Sequence, residues 1–119
     1  MTLTSSVPVL RVADYQKAKS FWTGALGFTV VNEAGDPVTG FGIFCRDQAQ
    51  VFLSAWDGPE ASYNRWRAYF HCDDLEKISD CLKSFGASFN GPVVAEYGMQ
   101  ELEVTDPSGN VVCFGQEMK

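Results

Sequence analysis

Residues 99–104 read Met-Gln-Glu-Leu-Glu-Val and set two carboxylates two positions apart. In an extended strand that spacing puts Glu101 and Glu103 on one face, where they can attract a cation or raise each other's pKa. Ten residues on from Glu103, Cys113 stands in the run Val-Val-Cys-Phe-Gly. His71 is the only histidine, and its side chain titrates near neutrality when unperturbed. No serine or cysteine pairs recognisably with it, and there is no nucleophile elbow, Gly-rich phosphate loop or zinc spacing. A hydrogen-bonded, non-catalytic histidine and solvated carboxylates therefore stand against an acid–base site. Cys45, Cys72, Cys81 and Cys113 form no CxxC pair, and each lies in an apolar run. Reduced thiols are expected, rather than a disulfide framework or zinc cluster.

These residues sit in a chain of 119, long enough for one compact domain, 1–119, with a real core. The net charge of −6 argues against a nucleic-acid partner, which needs clustered Lys and Arg. It suits a cationic small ligand, although solubility alone also accounts for it. No apolar run approaches the ~18 residues of a membrane span. The opening MTLTSSVPVL lacks a basic segment followed by a long apolar one. A cytoplasmic protein without a membrane partner is the expectation.

The elements that must position the side chains repeat. VPVLRVAD alternates as a strand, Asp14 caps a helix, and Ala18, Phe21, Trp22 and Ala25 form one apolar stripe that places Trp22 in the core. Gly27 reads as the stop. FTVVNE, FGIFCR and QVFLSAW follow as strands, the last two as a hairpin around Asp47-Gln48. DGPEASYNRW breaks the pattern as a linker, leaving Trp66 as an interface anchor or a lid. The order then restarts. RAYFHC is a strand, and Asp73 with Glu76 resembles a capping box. Leu75, Ile78, Leu82 and Phe85 make the second stripe, and Gly86 stops the helix. SFNGPVVAE, MQELEVTD and NVVCFGQ supply three more extended segments, the last two joined by a turn at Asp106-Pro107-Ser108-Gly109. VADYQKAKSFW and CDDLEKISDCL start 60 residues apart and carry the same cap and stripe. The fold class is α+β: two βαβββ modules, about 5–56 and 67–117, joined by a linker at about 57–66. Each curls a mixed sheet with its helix outside.

Two such modules resemble the vicinal oxygen chelate superfamily of glyoxalases, ring-cleaving dioxygenases and bleomycin-resistance proteins, most closely the last. The resemblance rests on VPVLRVADYQKAKSFWTGALGF, QVFLSAW and YGMQELEVTDPSGNVVCFGQ, in which Tyr97 and Gln100 stand where members often have Trp and Arg. It implies a glyoxalase-like fold and a domain-swapped homodimer. It also implies that metal ligands, where members have them, fall at Val7, Phe52, Arg67 and Cys113. Val and Phe cannot ligate, Arg repels a cation, and one Cys cannot hold an ion alone. No metal and no cofactor are expected. Cys113 is then a cleft residue standing where a metal-binding relative has Glu, or a core filler if the register slips by one.

Alternation from those positions gives a cleft face. Val7, Val9 and Arg11 share it with Phe52, Ser54 and Trp56, with Arg67, Tyr69 and His71, and with Met99, Glu101 and Glu103. Pro8, Leu10, Val12, Ala68, Phe70, Cys72, Leu102 and Val104 fall on the helix-covered faces, almost wholly apolar as such faces must be. The ligand-binding candidates are Phe52, Ser54, Trp56, Arg67, Tyr69, Tyr97, Met99, Glu101, Glu103 and Cys113, with no catalytic residue. Aromatics beside acids suit a ligand that is partly planar and partly cationic, such as a bleomycin-like antibiotic. A filled core with a solvated edge is the competing reading. The functional expectation is metal-free sequestration. A metal-dependent lyase, isomerase or dioxygenase of the glyoxalase type, and an interaction module with no small ligand, are the alternatives.

Overall fold

Asp14 and Asp74 start the two helices by the same device. Each side chain accepts from the backbone N–H three residues on, Lys17 at 3.1 Å and Lys77 at 3.2 Å. The second cap corrects the sequence expectation by one residue. Asp74, not Asp73, has the non-helical backbone from which its carboxylate reaches that N–H. The free N–H of Leu75 is taken by Gln116 at 2.8 Å. The helices end as their glycines allow. Gly86 adopts φ +88° and gives its N–H to Leu82 and Lys83, whereas the first helix stops three residues before Gly27, which has φ +72°.

In this computed structural model residues 1–35, 40–55 and 65–118 are described. The first half runs β1 (Val9–Val12), α1 (Tyr15–Gly24), β2 (Thr29–Ala34), β3 (Phe41–Arg46) and β4 (Ala49–Ala55). The second runs β5 (Trp66–Cys72), α2 (Leu75–Phe85), β6 (Phe89–Val94), β7 (Met99–Thr105) and β8 (Val111–Glu117). The sheets have equivalent orders, β1-β4-β3-β2 and β5-β8-β7-β6. In each, the strand before the helix pairs parallel with the last strand, and the other pairings are antiparallel. The repeat read in the sequence is thus a repeat of topology. Of the linker, residues 57–64 lie outside the described residues.

One face of each sheet is apolar because alternate positions are. Leu10, Val12, Phe44, Val51 and Leu53 of the first sheet and Phe70, Leu102, Val104, Val112 and Phe114 of the second are each at most 9% exposed. The stripes hold except at Phe85. It is 47% exposed at the end of α2, where it lies edge-on to Phe21 at 5.9 Å. That approach requires Gly24, because a Cβ there would come within 2.8 Å of the Phe85 ring.

Both apolar faces feed a single core. Phe70 of β5 meets Trp22 at 6.3 Å and Phe28 at 5.7 Å, and stacks on Phe114 at 5.3 Å. The turn before β8 closes the seam. Its Asp106, 4% exposed, accepts from Trp22 Nε1 at 3.2 Å, from the backbone of Ser108 and Asn110 at 2.9 and 2.8 Å, and from Asn110 Nδ2 at 3.0 Å. Asn110 Nδ2 also donates to Arg11 O at 2.9 Å, and Ala13 N donates to Ser108 Oγ at 3.0 Å. Because both helix-covered faces point into this shared core, the opposite face of each sheet turns outward. No helix is long and apolar enough to cross a membrane among the described residues.

Candidate functional site

The outward face of the second sheet carries most of the candidate residues. Register places Tyr69, Cys113 and Glu103 in one row across β5, β8 and β7, and His71, Gly115 and Glu101 in the next. The same-face expectation for the two glutamates therefore holds. Glu101 is only 6% exposed although it lies on the outward face. Two tyrosines cover it. Tyr97, in the turn before β7, donates a very short hydrogen bond to Glu101 Oε2. Tyr69 lays its ring across β8 and buries its hydroxyl beside the same carboxylate. That pose exists only because residue 115 is glycine, since a Cβ there would fall 1.8 Å from Tyr69 Oη. Burial first, then the Glu101 carboxylate, raises the Tyr69 phenol well above the tyrosine range. The Tyr97 phenol is pushed up to about 12, chiefly by its bond to Glu101.

Glu103 has an aromatic donor of its own. Trp66 Nε1 reaches Glu103 Oε2 at 2.6 Å. The Trp66 and Tyr69 rings lie 5.3 Å apart, tilted by 55°, and Tyr69 meets His71 edge-on at 5.1 Å. This row depends on a register shift between Trp66 and Ala68, which sets Trp66 opposite Val111. Counting back by twos from Tyr69 assigns the face to Arg67. The irregularity breaks that count, and the indole of Trp66 occupies the place beside Glu103. Arg67 is half-buried within the irregularity. Trp66 is the residue that sequence reasoning left out of the site, because nothing in RWRAYF announces a bulge.

Cys113 lies on β8 opposite Glu103, one row from Glu101, and is fully buried. Burial, then the charges of Glu101 and Glu103, pushes its thiol up to about 12. Its strand position is the outward row that includes Tyr69 and Glu103, so the one-residue slip that would make it a core residue did not occur. Met99 follows on the same face of β7, half-buried. All four cysteines are free thiols.

Phe52 and Ser54 belong to the first sheet. Register aligns Phe52 with Val9 and Ile43, and Ser54 with Arg11 and Phe41, while Phe41 and Phe52 meet at 5.4 Å. This outward face mixes Val9, Phe41, Ile43 and Phe52 with polar members, Arg11 and Ser54 in one row, Asn32 beside Ile43, and Gln50 and Thr29 beside Cys45. Trp56 lies outside the described residues. The candidates therefore fall into two groups on two outward faces, which the structure does not bring together within one chain. The four positions assigned to metal ligands lie at different places in the fold. Phe52 offers no donor, Val7 precedes β1, and no group of three or more His, Cys, Asp or Glu side chains able to hold an ion occurs among the described residues.

The description Glyoxalase/Bleomycin resistance protein/Dioxygenase superfamily matches residues 5–114. The chain belongs to that superfamily. Solved structures of the same fold cover nearly the whole chain. A bleomycin resistance determinant encoded on the transposon Tn5 is 22% identical, with a TM-score of 0.80 over 97% of this chain and 98% of that one. TnmS3, an antibiotic binding protein from Streptomyces sp. CB03234, is 22% identical, with a TM-score of 0.73 over 98% and 99%. A lactoylglutathione lyase from Agrobacterium tumefaciens is 16% identical, with a TM-score of 0.71 over 95% and 92%. At these identities the likeness is one of fold. No curated protein matches the chain in sequence. Superfamily membership accounts for the twofold βαβββ topology, and it includes binders and enzymes alike.

Proposed function

We propose that this superfamily member is a metal-free binder of a flat, positively charged small molecule of the bleomycin type, which it sequesters without chemical change. The observation that carries this reading is the outward face of the second sheet, where Trp66, Tyr69 and Tyr97 stand directly on the carboxylates Glu101 and Glu103. Aromatic faces favour a planar ligand, and the carboxylates favour its charge. Sequestration asks only for affinity; a nanomolar Kd corresponds to about 12 kcal/mol. An antibiotic-binding protein and a resistance determinant among proteins of the same fold support the reading.

The cleft needs a second chain. Each sheet turns its functional face away from the core that the two modules share. On the first face Val9 is 60% exposed, and Phe41, Ile43 and Phe52 are half-buried. In a homodimer the first module of one chain would face the second module of its partner, closing two equivalent clefts about a twofold axis. Phe52 and Ser54 would then stand opposite Tyr69 and Glu101. Sedimentation at micromolar concentration is expected to show a dimer; a single species of 13.1 kDa would remove it.

Bleomycin and the flat cation proflavine are the probes for the ligand. Both are expected to quench tryptophan fluorescence and raise the melting temperature, with or without EDTA. Affinity should fall as salt rises, because the long-range attraction of a cation to a chain of net charge −6 is screened beyond about 8–10 Å at physiological ionic strength. Glu101→Gln should weaken binding at low and high salt alike, because a carboxylate 6% exposed is little screened. Silence of both probes at high micromolar concentration would dismiss sequestration of this ligand class.

A further inference from the structure

The two carboxylates are not bare. Trp66 already fills a lone pair of Glu103, and Tyr97 fills one of Glu101, with the Tyr69 hydroxyl packed alongside. An incoming cation therefore meets concentrated negative charge with reduced capacity to accept directed hydrogen bonds. Around that charge the surface is aromatic. The Trp66 and Tyr69 rings pack on each other at 5.3 Å, tilted by 55°, and Tyr97, whose hydroxyl reaches Glu101, remains 63% exposed. A primary ammonium brings three N–H donors, each needing an acceptor once its water is stripped. An ammonium whose nitrogen carries alkyl groups brings weakly hydrated C–H surface that packs on ring faces and keeps the charge.

Building on the cleft reading above, we propose that Trp66, Tyr69 and Tyr97, backed by Glu101 and Glu103, form a cage that selects an N-alkylated ammonium group over a primary amine. The ligand of this protein would carry a tertiary or quaternary nitrogen at the end that enters the second sheet.

Calorimetric titration of the full chain with three probes tests this. Benzyltrimethylammonium carries the alkylated cation, benzylammonium the primary one, and neopentylbenzene the same shape without charge. The first should bind about tenfold more tightly than either of the others. Trp66→Leu should cost the first probe about tenfold and leave the others within about twofold, whereas Trp66→Phe should retain most of the affinity. Melting curves of both variants verify folding, which the 40% exposure of Trp66 favours. Benzylammonium binding as well as its trimethyl analogue, or Trp66→Leu leaving the preference intact, would overturn the cage. If bleomycin or proflavine binds while benzyltrimethylammonium shows no preference, the cage falls and the cleft reading stands. If no probe of either panel binds, both fall.

Discussion

Asp106→Ala is expected to lower the stability of the protein by about 3–5 kcal/mol, the loss usual when one partner of a buried charged network is removed. The carboxylate is almost fully buried and accepts four hydrogen bonds, one of them from Trp22, 84 residues away in the other module. Alanine would leave the Trp22 indole N–H and the Asn110 backbone N–H without acceptors in a dry environment, each costing about 1–3 kcal/mol. For a chain of this size the melting temperature should fall by roughly 10–20 °C, measured at one fixed protein concentration because assembly also shifts it. Pro107→Ala changes the same turn without touching those bonds and should cost less than about 1 kcal/mol. Equal effects of the two variants would show that Asp106 shapes only a turn and does not join the modules.

Cys113 should be the last thiol to react. Its pKa is pushed from 9.0 to about 12, so at pH 8 its thiolate is scarcer by about three decades. The greater nucleophilicity of a less acidic thiol returns somewhat over one decade, leaving the chemistry about 30- to 100-fold slower than in the unfolded chain. Full burial adds to this. Iodoacetamide labelling read by mass spectrometry should modify Cys45, Cys72 and Cys81 well before Cys113, and guanidinium should abolish the difference. The sign of the accompanying pH effect follows from proton binding. Between pH 9 and 12 the folded chain holds a proton at Cys113 that the unfolded chain releases, so the contribution is complete below pH 9 and is lost as pH rises toward 12. Native labelling of Cys113 within tenfold of its rate in guanidinium would contradict this placement.

The repeat, the helices and the partition of the strands were legible in the sequence because each rests on a short-range rule. Stripes at three- and four-residue spacing need only a helix, and alternation needs only a strand, so Ala18, Phe21 and Trp22 go to the core and Glu101 and Glu103 share a face without knowledge of the rest of the chain. Cap and stop residues act within a turn, which is why the second cap moved only from Asp73 to Asp74. What the sequence could not supply lies between distant residues. One register shift brings the Trp66 indole onto Glu103, and Gly115 is the gap that lets Tyr69 cross β8 to Glu101. Asp106 reads locally as the first residue of a turn, but it becomes the fastening of two modules when Trp22 arrives from the other half. Only tertiary structure decided that both apolar faces share one core and that the faces with the candidate residues therefore point outward, because burial is settled by what packs against a face and a strand's alternation does not name its partner.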